Sequence, residues 1–219
     1  KIPIVIPTNS IVDFVSSNSD YSLLLEALQT ADGGIVESLN SGGPFTVFAP
    51  NNAAFRAFLS ANNFDYLSDV PTAMLSQILL NHVIGGNALA ASLSTGYDIK
   101  SLSTATPSGA NMSLYINTAD GVVINGVSTV TTADVSVDNG TIHAVDAVIG
   151  LPTVVTFAVA DPNFSILKTA LTRADLTFDF VGTLSTANGT DPAPFTVFAP
   201  IDQAFVDLLE ELEKDSLDD

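Results

Sequence analysis

Only two histidines, His82 and His143, are available for acid–base or metal chemistry, so their neighbours decide what they could do. His143 and Asp146 are three residues apart in Thr141–Ile149, a stretch rich in Val, Ile and Thr that reads as a strand. Side chains alternate along a strand, so an odd spacing turns these two to opposite faces, which argues against a base and its orienting carboxylate. A metal centre on both histidines needs a carboxylate and the convergence of two distant segments, and no short ligand spacing supports one. Both are therefore expected to be framework residues that pin nearby backbone groups. Ser165-Ile166-Leu167-Lys168 fits the S-x-x-K element of acyl-serine enzymes, but the companion elements S-D-N and K-T-G are absent. Asp134, Ser136 and Asp138 place oxygens at alternate positions as a calcium loop does, yet the glycine falls one place late at Gly140 and no Glu closes the loop. Sequons at Asn111, Asn139, Asn163 and Asn188 are no more than composition predicts. The chain has no cysteine, which removes thiolate nucleophiles, thiolate metal sites and disulfides together. No catalytic residue, cofactor or metal site is assigned.

The elements that would position these groups are organised by a duplication. Phe45-Thr46-Val47-Phe48-Ala49-Pro50 recurs as Phe195 to Pro200, and each copy is followed by matching flanks, Asn51 to Phe55 and Ile201 to Phe205. Upstream, Ile11-Val12 aligns with Val154-Val155, and Tyr21-Ser22-Leu23-Leu24 with Phe164-Ser165-Ile166-Leu167. The offset is 143 there and 150 at the hexapeptide, which places seven extra residues in the second copy, around Gly189 to Pro194. Ser165 thus aligns with Ser22, and Leu25 stands where the second copy has Lys168, so the S-x-x-K match reads as helix packing. The expected domains are 1–152, complete, and 153–219, the front part of a second. Equivalent structure is expected for the two hexapeptides.

Tyr21, Leu24, Leu25 and Leu28 follow the i, i+3, i+4, i+7 pattern of one helix face, with the Leu25/Lys168 position at its rim. Thr46 to Ala49 is a short apolar run that suits a buried strand. Pro50 then leads into a helix whose inner face is Phe55, Phe58 and Leu59, with Asn52 and Asp202 as the expected caps. A further helix is predicted over Thr72–Val83, stopped by Gly85-Gly86. After Gly96 the pattern changes to short β-rich runs at 99–102, 112–116, 122–124, 127–130 and 141–149. Asp120-Gly121, Asn125-Gly126 and Asn139-Gly140 separate several of them and supply the positive φ angles that hairpins need. Helices followed by an antiparallel meander give an α+β class.

Six basic against 24 acidic residues leave a formal charge of −18. Such a field repels phosphate backbones and anionic lipid, so nucleic-acid binding is excluded and a solvated, solubilising surface is the plain reading. The hydrophobic share of 47% with 14% charged residues fits a well-buried globular protein. No apolar run reaches the roughly 18 residues that span a bilayer. The chain opens at Lys1 and runs into the apolar Ile2–Ile6, so a processed N-terminus is expected.

Together these residues resemble the fasciclin domain family. Its pattern has the Phe-Thr-Val-Phe-Ala-Pro box with a polar pair and Ala-Phe, a His-Val at a helix end, and Asn-Gly-x-Ile-His-x-x-Asp-x-Val before a proline. Here these are Phe45 to Phe55, His82-Val83, and Asn139-Gly140-Thr141-Ile142-His143-Ala144-Val145-Asp146-Ala147-Val148, with Pro152 one place later than the commonest spacing. The resemblance implies a compact module of helices packed on an antiparallel β-wedge, in tandem. It also implies a secreted, cell-surface or periplasmic setting, adhesive contacts with protein or polysaccharide, and no catalytic chemistry. Adhesive members place Tyr-His in the helix region where this chain has Asn81-His82, and an Asp-Ile pair where it has Asp134-Val135. Asn81, His82, Asp134 and Val135 are therefore the expected interaction candidates. The alternative expectation is a small-ligand or glycan receptor with one apolar cleft.

Overall fold

Helices come first along the chain. A computed structural model describes residues 9–40 and 42–217; the apolar opening Ile2–Ile6 lies outside them. Three helices, α1 (Ile11–Ser17), α2 (Ser22–Thr30) and α3 (Ile35–Asn40), lead to strand β1 (Phe45–Pro50). Next come α4 (Asn52–Ala61), α5 (Thr72–Asn81) and β2 (Val83–Gly85), then β3 (Ile116–Asn117), β4 (Val123–Ile124), β5 (Ser128–Val137) and β6 (Gly140–Val145). Four more helices follow: α6 (Val154–Ala160), α7 (Ser165–Leu171), α8 (Phe180–Leu184) and α9 (Asp202–Glu211). The architecture is α+β, with a single six-stranded sheet in the order β2-β1-β6-β5-β4-β3. The chain divides into two compact units, the first running to Leu151 and the second from Pro152; Thr106–Ser108 group with the second.

The sheet departs from an all-antiparallel wedge at its centre. β1 lies parallel to β6, from Phe45 opposite Gly140 to Pro50 opposite Val145, and antiparallel to β2, with Val47 opposite Val83. A parallel pair needs a long connection, which here is everything from α4 to β5. This central place makes the hexapeptide apolar except at Thr46: Val47 and Ala49 face the helices, while Phe48 faces the other side. The helix-side core also takes Ile11, Leu24, Phe55, Leu75, Ile78 and Ile142. The far-side core gathers Phe48, Ile84, Leu114, Ile116, Ile124, Val145 and Ile149.

Several expected elements shift. The α5 helix ends at Asn81, and Val83 is already in a strand, because His82 closes the helix and β2 pairs with β1. The runs 99–102 and 112–116 make bridges, Ser101 to Ile84 and Lys100 to Ser113, and only Ile116 of the two runs lies in a strand, β3. The Asn125-Gly126 turn is as expected: φ is +52° and +70°, and Val127 N–H bonds to Ile124 O at 3.1 Å. These are the two positive φ values that a tight two-residue hairpin requires.

The second hexapeptide does not repeat the first. Phe195 to Pro200 is not a strand, and Phe198 is 94% exposed where Phe48 is fully buried. A strand exists through its ladder partners. Both partners of the first copy, β2 and β6, come after it in sequence, and no strand follows Pro200 among the described residues. The helices do repeat: α6, α7 and α9 stand where α1, α2 and α4 stand in the first unit.

Candidate functional site

His82 sits at the C-terminus of α5, 2% exposed. Its Nδ1 lies 2.8 Å from Ile78 O, and Ile149 donates its N–H to Nε2 at 2.8 Å. An accepting Nε2 makes Nδ1 the donor, so the ring is neutral and both nitrogens are used. Burial pushes its pKa down to about 4, opposed by the bond to Ile78. The adjacent Asn81 is also fully buried: its Nδ2 donates to Gly150 O at 2.9 Å, and its Oδ1 accepts from Ser101 Oγ at 2.7 Å. Asn81 and His82 therefore present no contact surface. Their burial against the 149–150 backbone runs against the expectation that they are interaction residues.

His143, fully buried on β6, stacks on Phe48 with ring centroids 5.5 Å apart. Asp134 N–H donates to its Nδ1 at 3.2 Å, and its Nε2 lies 2.9 Å from Ala88 O. This fixes the opposite neutral tautomer, with Nε2 donating. Asp134 occupies a bulge in β5, with φ +62°, between the pairs Thr132–Ala144 and Val135–Ile142. Its carboxylate accepts from Ala90 N–H at 2.8 Å. Thr46 Oγ1 donates to Gly86 O at 2.9 Å and accepts from Ala88 N–H at 2.8 Å. Thr141 Oγ1 closes the set by bonding to Asn87 Oδ1. Four sheet residues thus hold the 86–90 loop, and Leu89 projects from it 47% exposed.

Asp146 takes no part with His143. Its Oδ1 accepts from Thr129 N–H at 2.7 Å on the neighbouring strand. Asn139 is a hub: Oδ1 accepts from Ile11 N–H at 2.9 Å, Nδ2 donates to Leu39 O at 2.5 Å, and its carbonyl accepts from Phe45 N–H at 3.0 Å. Gly140 beside it has φ +156°, and a Cβ there would lie 1.8 Å from Phe45 O. Only glycine fits. Asp134 and Asp138 hold Ala90 and Asn9 amides and do not converge on an ion.

Asn52 is not the cap of its own helix. Asn51 caps α4, its side chain accepting from Ala54 N–H at 2.9 Å. Asn52 instead accepts from Leu23 N–H at 2.9 Å and donates to Ser19 O at 2.9 Å, capping α2 from across the helix pair. Asp202 does likewise for α7, accepting from Ile166 N–H at 2.8 Å and from Ser165 Oγ at 2.5 Å. Sequence reasoning missed the roles of Thr46, Thr141 and Asn87. A threonine kept in both copies of an otherwise apolar strand was the available signal.

The boxes converge on the framework. Phe45, Val47, Ala49, Pro50 and Phe55 build the helix-side core or the ladder, and the histidines, Asn139, Gly140 and Asp146 fasten strands to loops. In the second unit Phe195, Pro200 and Phe205 are exposed or half-buried. Among the described residues no three His, Asp or Glu side chains are grouped to hold a metal ion. No helix there is long and apolar enough to cross a membrane.

Residues 19–152 match the Fasciclin domain. The chain is 37% identical over 140 residues to protein sll1483 of Synechocystis, covering 64% of this chain and 72% of that one. It is 36% identical over 140 residues to the cell surface glycolipoprotein MPB83 of Mycobacterium bovis, covering 63% of this chain and 58% of that protein. Human periostin is 26% identical over 200 residues, 90% of this chain but only 22% of periostin. The FAS1 domain pair of the insect cell adhesion molecule Fasciclin I superposes with a TM-score of 0.56 at 22% identity, covering 89% of this chain and 64% of that one. The last of these likenesses speaks to fold alone. A match over residues 19–152, with the boxes forming the sheet centre and its fastenings, places this chain in the fasciclin domain family.

Proposed function

We propose that the chain is a secreted or cell-surface contact module that binds extracellular protein or polysaccharide and carries out no chemistry of its own. The observation that carries this is the use of both histidines. Each ring donates once and accepts once within the framework, which leaves neither free to move a substrate proton. A relative named for cell-surface placement supports the setting.

The contact face this reading favours is the loop held by the β5 bulge. Leu89 is an exposed apolar side chain flanked by two residues pinned to the sheet, so little conformational freedom is lost when a partner covers it. Asp134 and Val135 lie in the same bulge and give the patch an acidic edge. Retention on immobilised matrix proteins and polysaccharides tests this. The full chain should be retained, and Leu89→Asp, at an exposed position, should reduce retention at least tenfold. Equal retention of the two, or none by either, sinks the reading.

A small-ligand reading is favoured by one observation, an apolar groove of about 230 Å³ in the second unit. Its lining offers only Lys168 and Thr172 as polar groups, fewer than a ligand site uses to fix orientation.

A further inference from the structure

In the first unit α4 ends in a Schellman closure: Asn63 takes the left-handed conformation at φ +58°, and Phe64 donates its N–H to Leu59 O at 2.9 Å. Beside this turn lies a shallow pocket of about 450 Å³, lined by Arg56, Leu59, Ser60, Asn63, Phe64 and Asp65. Arg56 and Ser60 are four residues apart and share a face of α4. The next residue along the chain, Tyr66, is an aromatic side chain 72% exposed. Among the described residues the side chains of Arg56, Ser60, Asn63 and Asp65 make no hydrogen bond or ion pair. Both histidines, by contrast, are held by the framework at each ring nitrogen.

The duplication separates what this turn requires from what it merely carries. α9 closes in the same way, with Glu213 at φ +55° and Lys214 N–H bonded to Leu209 O at 2.9 Å. Leu59, Asp65 and Leu67 recur as Leu209, Asp215 and Leu217. Arg56, Ser60, Asn63, Phe64 and Tyr66 do not: Val206, Glu210, Glu213, Lys214 and Ser216 stand in their places. The closure therefore forms without these side chains, and their polar groups remain for a ligand. A guanidinium only donates, a carboxylate only accepts, and Ser and Asn do both, which suits the adjacent hydroxyls of a sugar. Phe64 and the exposed Tyr66 supply apolar surface for its C–H face. Residues 9–151 hold two basic side chains, Arg56 and Lys100, against twelve acidic ones, so a polyanionic chain is repelled before contact.

We propose that the pocket at the end of α4 is a subsite for a neutral hexose unit of an extracellular polysaccharide. Arg56 donates to, and Asp65 accepts from, neighbouring hydroxyls, and Tyr66 packs against the adjoining unit. The inference rests on the contact-module reading and deepens it by naming the class of polysaccharide.

Isothermal titration calorimetry of the full chain tests it, with cellohexaose, laminarihexaose and maltohexaose as neutral oligomers and hexagalacturonate as the anionic one. Saturable binding of at least one neutral oligomer is expected. Arg56→Val and Tyr66→Ser, the residues of the second copy, should each weaken it at least tenfold, and both positions are exposed. Asp65→Asn keeps the shape of the side chain and should weaken binding too. Three outcomes overturn the proposal: no binding of any neutral oligomer, tighter binding of hexagalacturonate, or indifference to any of the three substitutions. Matrix retention that depends on Leu89 but not on Arg56 would sink the pocket and leave the contact reading standing. Oligosaccharide binding lost with Arg56→Val but kept in Leu89→Asp would support the pocket whatever the fate of the Leu89 face.

Discussion

Asn52 Oδ1 accepts the backbone N–H of Leu23 at 2.9 Å, so a residue of α4 caps the start of α2, and Asp202 repeats the bond to Ile166 at 2.8 Å. The polar residue after each hexapeptide is therefore a fastening between helices. Opening N–H groups of a helix have no partner within it, and an oxygen from a neighbouring helix satisfies one while fixing how the two pack.

Asn52→Ala should destabilise the first unit by about 1–2 kcal/mol, the usual cost of a lost cap with its donor left unpaired. Asn52→Asp should cost less, because the second copy uses Asp at this place and a carboxylate suits a helix N-terminus. Urea unfolding of the two variants checks the order. Equal losses would show that the cap is not what Asn52 supplies.

Gly140→Ala should prevent the first unit from folding or destabilise it beyond the usual range for one substitution, because the new Cβ meets backbone on the central strand. Gly121→Ala is the control: φ is +100° but nothing lies within 4 Å of a Cβ, so only conformational strain of about 1 kcal/mol is added. Circular dichroism melts of both separate steric exclusion from backbone preference.

The hexapeptide provides its own control. Phe48→Ala should cost about 3–5 kcal/mol, as for an aromatic side chain removed from a filled core. Phe198→Ala, the same change in the same peptide, should lie within about 0.5 kcal/mol of the parent because the ring is exposed. Comparable losses would mean that the second copy is buried in solution.

Stability should fall on mild acidification through His82. Its folded pKa is about 4 against an ordinary 6.5, so the unfolded chain binds this proton first. The stabilisation is complete above about pH 6.5 and is lost as pH falls toward 4, amounting to roughly 3 kcal/mol at the lower end. His82→Gln should flatten the dependence in that window when unfolding midpoints are compared at pH 7, 5.5 and 4.5. An unchanged slope would assign it to other groups.

The helical stripes were legible in the sequence. Tyr21, Leu24 and Leu28 are buried while Leu25 sits at the rim, because a surface helix of known period has only one way to bury its apolar face. The Asn125-Gly126 turn was equally legible, since its backbone angles are local. The choice between Asn51 and Asn52 as cap was not, because it depends on a helix 29 residues upstream. Nor was the burial of Asn81, whose partners Ser101 and Gly150 come from distant segments.

Sequence alone determined the duplication, the helix faces, the glycine-dependent turns and the absence of thiol chemistry, all of which follow from residue identity and short-range geometry. Tertiary structure alone decided that one copy of Phe-Thr-Val-Phe-Ala-Pro is a central strand and the other is not. A helix satisfies its hydrogen bonds within itself, but a strand is defined by its neighbours, and among the described residues only the first copy has strands on both sides.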